Sequence, residues 1–202
     1  EAGTINQQFA HTRQSLDSIM HFINLGYNIC LTHGNGPQVG DELYRMHLTH
    51  KTIPALPLGV CVAETQGSIG YMIQQSLQNA LKHKLIDREV VTLITQTIID
   101  KNDPSIKNPE KFIGRCYKKE EAKLLAEQFG WVIKKQNLDE WRQVVPSPLP
   151  KYIEHGRSIE TLVNNGTIVI ASGGGGIPAY WDENDSLEGI DANTTYVTHF
   201  SF

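Results

Sequence analysis

Two glycine-rich segments are the first candidates for chemistry in this sequence. Residues 33–37 read His-Gly-Asn-Gly-Pro, and residues 172–178 read Ser-Gly-Gly-Gly-Gly-Ile-Pro. Glycine lets backbone N–H groups approach an oxyanion without a Cβ in the way, and successive amides form a concave anion site. Four consecutive glycines also cost more conformational entropy than an ordinary turn requires. Together the segments favour an anion-binding site, although either one alone would be better explained as a tight turn.

Common motifs identify neither a nucleotide loop nor a metal site. The Gly-Lys-Ser/Thr ending of a P-loop is absent from both glycine segments, and neither has the G-x-G-x-x-G spacing of dinucleotide-binding proteins. His47 and His50 are three residues apart, but no third ligand lies nearby in the sequence. We therefore expect both histidines to be surface residues rather than metal ligands.

Two cations are candidates to supply positive charge near an anion site. Lys111 lies in a polar stretch and, by composition alone, is better explained as a solvated surface lysine. Arg142 precedes an apolar pair and a proline-bounded turn. It could contact an anion, or it could form an ion pair with Asp139 or Glu140. The residue types alone leave both alternatives open.

Helical and strand patterns alternate along the chain and place both glycine segments directly after strands. Helical segments, with apolar residues at helical spacing, are each followed by a short run typical of a strand. The helix and strand pairs are 9–23 with 27–32, 69–81 with 90–95, and 159–163 with 167–171. This repetition predicts an α/β fold with a mainly parallel sheet sandwiched by helices. Ligands bind at the carboxyl ends of parallel strands, so both glycine segments are expected at one edge of the sheet.

Residues 102–142 differ in character from the rest of the chain. They are rich in Lys, Glu, Asn and Pro, and they contain one short amphipathic helix marked by Ala122, Leu125 and Phe129. Long insertions of this kind are often functional. We therefore expect a small protruding lid subdomain at 102–142, with residues 1–101 and 143–202 forming the α/β core.

Composition limits the classes of partner. The chain has 202 residues and a formal net charge of -4, so no general attraction to nucleic acid is expected and any anion site must be local. No apolar run approaches the ~20 residues that a membrane-spanning helix needs. Cys30, Cys61 and Cys116 are widely separated, which fits neither a disulfide framework nor a zinc site. That spacing favours a cytoplasmic location.

Several segments, in this order, resemble the carbamate kinases of the amino acid kinase superfamily. The resemblance runs from about Thr12 to Ala192, nearly the whole chain. The matching segments are 32–40 (Thr-His-Gly-Asn-Gly-Pro-Gln-Val-Gly), 63–71 (Ala-Glu-Thr-Gln-Gly-Ser-Ile-Gly-Tyr), 95–97 (Thr-Gln-Thr), Asn108-Pro109 with Lys111 and Gly114, 141–148 (Trp-Arg-Gln-Val-Val-Pro-Ser-Pro) and 173–178.

The resemblance implies phosphoryl transfer between carbamoyl phosphate and a nucleotide, which makes ATP from ADP in the metabolic direction. Mg²⁺ would neutralise phosphate oxygens, and no metal ligand is assigned to this chain. Catalysis of this kind is mostly positioning and charge stabilisation. The resemblance also implies a cytoplasmic homodimer that serves arginine metabolism through the arginine deiminase pathway, with the subdomain closing over the substrate.

The resemblance assigns roles to both glycine segments and both cations. Asn35 and Lys111 would be catalytic, with Lys111 reaching from the subdomain to a phosphate oxygen. Arg142 would support that region. The transferred group would be held by Gly34, Asn35 and Gly36, and the carbamate side would be lined by Gly173, Gly174, Gly175 and Gly176.

The resemblance does not extend to two family features. Carbamate kinases open with a strand ending in Gly-Gly-Asn, and they continue after a segment like 189–192 with Ile-Asp-Lys-Asp and a nucleotide-binding half; neither is expected within residues 1–202. Those residues alone are therefore expected to be poorly soluble or self-associated, and inactive in ATP formation. Two alternatives stay open: another amino acid kinase acting on a small carboxylate or amine, and a non-catalytic remnant that binds a small anion.

Overall fold

The computed structural model describes residues 4–194, which form six α-helices and ten strands. In chain order they are α1 (Ile5–Asn24), β1 (Cys30–Leu31), α2 (Gly36–Thr49), α3 (Leu58–His83), β2 (Val90–Thr92), β3 (Gln96–Ile99), α4 (Pro104–Lys107), β4 (Lys111–Tyr117), α5 (Lys119–Phe129), β5 (Val132–Lys135), β6 (Trp141–Val145), β7 (Pro150–Ile153), α6 (Gly156–Asn164), β8 (Ile168–Ile170), β9 (Ile177–Trp181) and β10 (Leu187–Gly189), with a 3₁₀ turn at Gly173–Gly175. Within this part of the chain no helix has both the length and the apolar character needed to cross a membrane.

Local sequence sets the limits of the first helix. Thr4 and Gln7 form a capping box in which each side chain accepts a hydrogen bond from the backbone of the other residue, so α1 begins directly after Thr4. Gly26, two residues beyond its end, has a φ of +80°, a conformation that glycine adopts readily. Leu16 and Ile23 lie on the buried face. The helix predicted at 9–23 is confirmed, and it begins four residues earlier.

The central sheet is parallel, with strand order β1-β8-β2. Helices α1 and α3 pack on one face, in a cluster that includes Leu77 and Ile168. Helix α6 packs on the other face, in a cluster that includes Ile159 and Val169. Burial on both faces explains why every residue of β8 is apolar. The predicted fold class, a parallel sheet sandwiched by helices, is confirmed.

Two further sheets complete the described part of the chain. In the order β10-β9-β3-β7, β3 pairs parallel with β9 and antiparallel with β7. The third sheet is antiparallel, with order β4-β6-β5, and α5 packs against it. This sheet is formed by the segment from Lys111 to Val145. The proposed subdomain boundaries at 102–142 remain a prediction.

The structure differs from the sequence-based prediction at two strands and one helix. The strand predicted at 27–32 is reduced to β1. Of the run 90–95, only Val90–Thr92 forms a strand, β2. The next strand, β3, begins at Gln96 and belongs to a different sheet, and just before it the Gln66 side chain bonds both the N–H and the carbonyl of Thr95. Helix α2 was not predicted, since glycines and a proline in its first turns obscure the helical pattern. Proline is nevertheless well suited to a first turn.

A contact between two glycines holds α2 against the antiparallel sheet. A Cβ at Gly40 would overlap the backbone of Gly114, which itself has a φ of +70°. Beside this contact, the Arg115 guanidinium lies 4.5 Å from the centre of the Tyr44 ring and pairs with Asp41 at 3.0 Å. The close approach therefore requires that position 40 have no side chain.

Gly40→Ala is expected to lower the free energy of unfolding by about 1–3 kcal/mol, the usual cost of inserting atoms into filled space. Gly67→Ala is the matched control, because Gly67 also lies inside a helix and its added Cβ would meet only Ile94, at 4.0 Å. The control is expected to be neutral or to gain about 0.5–1 kcal/mol from helix propensity. Chemical denaturation measures both values, and equal stabilities would contradict the glycine contact.

Candidate anion-binding site

Parallel pairing brings the two glycine segments together at one edge of the central sheet. Cys30 is paired with Val169, so β1 and β8 end side by side. The Thr32 hydroxyl donates to the Ser172 carbonyl at 2.9 Å, beyond the ends of both strands. The segments that follow are therefore in direct contact, as their positions after strands predicted.

Both packing and backbone conformation require glycine in the second segment. Residues 174–176 have φ values of +65°, +89° and +86°, a region that L side chains avoid. A Cβ at Gly174 would overlap the Asn35 amide, and one at Gly176 would overlap the Thr97 hydroxyl. The run of glycines thus allows close packing of this segment against Asn35 and Thr97, which a simple turn does not need.

Most backbone N–H groups of this second segment are already hydrogen-bonded within the protein. Three of its four glycine amides donate to carbonyls of the same two segments. An anion cannot use those donors at the same time, so the segment contributes a closely packed wall. The donor and acceptor pairs are Gly174 to His33, Gly175 to Ser172 and Gly176 to Gly173, at 2.8, 3.0 and 3.2 Å.

Asn35 precedes α2, and its side chain is turned into the protein. The residue is only 2% exposed. Its Nδ2 donates to Thr65 Oγ1 at 3.0 Å, and its Oδ1 accepts from Asn193 Nδ2 at 3.4 Å. It makes no capping hydrogen bond to α2, although asparagine is a favoured capping residue. The N–H groups of the first turn are therefore left unused by the capping side chain, and a helix N-terminus of this kind attracts anions.

Lys111 lies at the start of β4 and reaches the same place from the antiparallel sheet. Its ammonium donates to Asn193 Oδ1 at 3.0 Å, to the Asn193 carbonyl at 3.2 Å and to the Thr194 carbonyl at 2.6 Å. Asn193 also contacts Asn35, so one side chain separates the two predicted catalytic residues. Lys111 is accordingly half-buried and hydrogen-bonded, unlike the solvated surface lysine that composition alone suggested.

Burial changes the protonation of two groups at this edge. It lowers the pKa of Lys111 from 10.5 to about 8, because desolvation disfavours the ammonium. Burial also lowers the pKa of His33, and the hydrogen bond to the Gly34 carbonyl offsets part of that shift. At neutral pH the site therefore contains a neutral imidazole and a lysine that is mostly charged.

Arg142 braces the antiparallel sheet. Its Nη2 donates to the Gly114 carbonyl at 2.7 Å and its Nη1 to Gln136 Oε1 at 3.1 Å. The guanidinium lies 5.9 Å from the centre of the Phe112 ring. The structure thus gives Arg142 partners other than Asp139 or Glu140. Through the Gly114 carbonyl, Arg142 contacts β4, the strand that begins with Lys111.

His47, within α2, and His50, directly after α2, pack against Phe129 of α5. Their rings lie 4.8 and 5.1 Å from the centre of the Phe129 ring. His50 Nδ1 is 2.7 Å from the His47 carbonyl, and its Nε2 is 2.8 Å from Gln128 Nε2. Across residues 4–194, no three His, Cys, Asp or Glu side chains are grouped so that they could hold a metal ion.

Thr65 and Gln66 belong to the site, although the sequence analysis assigned them no role. Gln66 Nε2 donates to the carbonyls of Thr95 and Gly173, each at 3.1 Å, and its Oε1 accepts from Thr95 N at 2.7 Å. It thereby ties the second glycine segment to the start of β3. Both residues lie on the buried face of α3 with Ile69. Polar residues within an apolar helical stripe were the signal that could have identified them.

Comparison with known proteins finds relatives over nearly the whole chain. A carbamate kinase from Pyrococcus horikoshii is 46% identical over 194 residues, which are 95% of this chain and 62% of the relative. The chain thus spans less than two thirds of the curated relatives it matches. No protein-family model matches the sequence.

Solved structures show the same likeness. A carbamate kinase from Giardia lamblia bound to citric acid superposes with a TM-score of 0.89 and 37% identity, covering 96% of this chain and 63% of that one. The same enzyme bound to AMP-PNP gives a TM-score of 0.85 and 37% identity, covering 96% of this chain and 62% of that one.

Gly176→Ala is expected to destabilise the protein by about 1 kcal/mol or more beyond Gly166→Ala, and to weaken binding of sulfate. Both positions have a similar positive φ, but a Cβ at Gly166 would have nothing within 4 Å. The comparison therefore separates the overlap with Thr97 from backbone strain. Denaturation and calorimetric titration measure the two effects; equal losses in both variants would refute the packing argument.

Sulfate affinity is expected to fall as the pH rises from 7 to 9, because Lys111 loses its charge around a pKa of about 8. Sulfate does not itself titrate in this range. In Lys111→Arg the guanidinium stays charged, so affinity should be nearly constant over the same interval. Calorimetry at several pH values tests this, and the same pH dependence in both proteins would show that another group is responsible.

Proposed function

We propose that this chain, which is homologous to carbamate kinases over the 62% of their length that it spans, binds carbamoyl phosphate and takes part in phosphoryl transfer between that compound and ADP. The supporting observation is the meeting of three features at one edge of the parallel sheet. They are the N-terminus of α2, the buried Asn35 and the ammonium of Lys111.

The α2 N-terminus is suited to hold the transferred phosphoryl group. The helix has 14 residues, so its dipole places partial positive charge at residues 34–36. Phosphate oxygens would accept hydrogen bonds from backbone N–H groups there. Gly34 and Gly36 keep the approach open, because neither has a side chain. A Cβ at Gly36 would have nothing within 4 Å, which indicates free space at that point.

Lys111 would stabilise charge on the phosphoryl oxygens during transfer. In that step the P–O bond to the carbamate oxygen breaks while a P–O bond forms to a terminal phosphate oxygen of ADP. Little covalent chemistry is asked of the protein, so a fixed cation and fixed dipoles supply most of the effect. The packed wall of residues 173–176 would face the carbamate.

The remaining partners are proposed from the family alone. ADP and ATP are the proposed nucleotides, in line with the Giardia relative bound to AMP-PNP. Mg²⁺ would neutralise charge on the nucleotide phosphates, with no ligand assigned to this chain. We further propose a homodimer, a cytoplasmic location and a role in arginine breakdown through the arginine deiminase pathway.

One observation favours a second candidate, a protein that binds a small anion without catalysis. The Lys111 ammonium donates to three oxygens of Asn193 and Thr194, both fully buried. A phosphoryl oxygen would have to displace at least one of them. Binding without turnover would be consistent with that arrangement.

Lys111→Ala is expected to lower ATP formation from ADP and carbamoyl phosphate by about two to three orders of magnitude, the scale of losing one charge-stabilising donor. Lys134→Ala is the control, because Lys134 lies on β5 of the same sheet and forms a solvent-exposed ion pair with Glu110 at 3.3 Å. Its turnover should remain within about twofold of wild type.

A coupled ATP assay on the natural protein, with calorimetry of carbamoyl phosphate binding, decides between the candidates. Turnover that depends on Lys111 supports the kinase. Binding of carbamoyl phosphate without ATP formation supports the anion-binding protein. More than half of wild-type turnover in Lys111→Ala would remove the role proposed for that lysine.

A further inference from the structure

We propose that Thr65 is a positioning residue that holds the Asn35 amide away from the α2 N-terminus and so keeps the first-turn N–H groups available to an anionic oxygen. This inference rests on the proposed function, because it concerns the same anion site. It assigns a role to a residue of the 63–71 segment. That segment resembles the family, but the resemblance assigned no role to its polar residues.

The Thr65 hydroxyl has a fixed donor direction. Thr65 is 1% exposed, and its Oγ1 donates to the Val62 carbonyl at 2.8 Å within α3. Its single hydrogen is therefore committed to the helix. Only lone pairs of Oγ1 remain to face Asn35, which meets them with Nδ2 at 3.0 Å.

This direction determines which end of the Asn35 amide faces the site. If the amide were rotated by 180°, Asn35 Oδ1 and Thr65 Oγ1 would be two acceptors face to face, in a buried place where an unsatisfied polar group is costly. The observed orientation instead directs Oδ1 to Asn193 Nδ2, and Asn193 Oδ1 accepts from Lys111. Hydrogen bonds therefore run in one direction from Lys111 to the carbonyl of Val62.

The consequence for α2 is an N-cap position without side-chain capping. Asparagine at this position normally accepts hydrogen bonds from the second or third N–H group of its helix, which would occupy the donors that an anion needs. The Asn35 backbone, with φ of -139° and ψ of 5°, also departs from the extended conformation usual for a capping residue. Thr65 is the contact on α3 that draws the side chain away.

Two substitutions at Thr65 separate this role from packing. Thr65→Val keeps the volume and removes the hydroxyl, whereas Thr65→Ser keeps the hydroxyl and removes a methyl group. We expect Thr65→Val to bind sulfate about tenfold more weakly than wild type, the effect of roughly one charge-assisted hydrogen bond. We expect Thr65→Ser to stay within about threefold of wild type, although it loses more packing.

Calorimetric titration with sulfate and a denaturation curve are measured for all three proteins. Weak binding in a folded Thr65→Val, with binding retained in Thr65→Ser, supports the proposal. Wild-type affinity in Thr65→Val, or an equal loss in both variants, overturns it.

Nuclear magnetic resonance of wild type gives a test that does not depend on the folding of a variant. The side-chain amide protons of Asn35, assigned through the sequential backbone assignment of the wild-type protein, should exchange slowly with solvent because Nδ2 is held by Thr65. Fast exchange would overturn the proposal.

Failure of the proposed function is distinguishable from failure of this inference. Absence of ATP formation, with slow exchange of the Asn35 amide and sulfate binding that depends on the Thr65 hydroxyl, removes the kinase and leaves the positioning role. ATP formation together with unchanged sulfate affinity in Thr65→Val removes only the positioning role.

Discussion

The site depends first on the position of β8 between β1 and β2. In this register Val169 is paired with Cys30 on one side and with Val91 on the other. Parallel strands deliver their carboxyl ends to the same edge, so the segments that follow them must meet there. The hydrogen bond from Gly174 N to the His33 carbonyl continues the contact beyond the strands. A slip of one residue would turn each strand side chain to the opposite face and separate these partners.

Several polar groups buried at that edge are hydrogen-bonded to the glycine segments or to each other. Thr97 Oγ1 donates to the Gly175 carbonyl at 2.9 Å. Thr95 Oγ1 accepts from Ser172 N at 3.2 Å and donates to the Leu93 carbonyl at 2.9 Å. In a low-dielectric interior such bonds are individually stronger, and an unmade one is costly. Preorganised dipoles of this kind are what electrostatic catalysis requires, because they need no reorientation when charge develops.

The positive charge at this edge is carried by a residue of a different sheet. Lys111 is carried by the antiparallel sheet, which the glycine contact at α2 holds in place. The segment 190–194 then passes between the parts: the Asp191 carboxylate accepts from Leu58 N at 3.0 Å, and Asn193 N donates to the Pro146 carbonyl at 3.1 Å. The glycine contact and this segment therefore fix the position of the Lys111 ammonium relative to the α2 N-terminus.

The sequence by itself determined the α/β class, the helix and strand units of the parallel sheet, and the placement of both glycine segments after strands. Those features follow from periodicity and turn residues, which act over a few positions of the chain. Its motifs also identified Asn35 and Lys111 as candidates. Only the tertiary structure decided that the strand predicted at 90–95 ends at Thr92 and that Thr65 and Gln66 face the site. These outcomes depend on hydrogen bonds between residues 29 or 30 positions apart, and local propensity carries no information about such contacts.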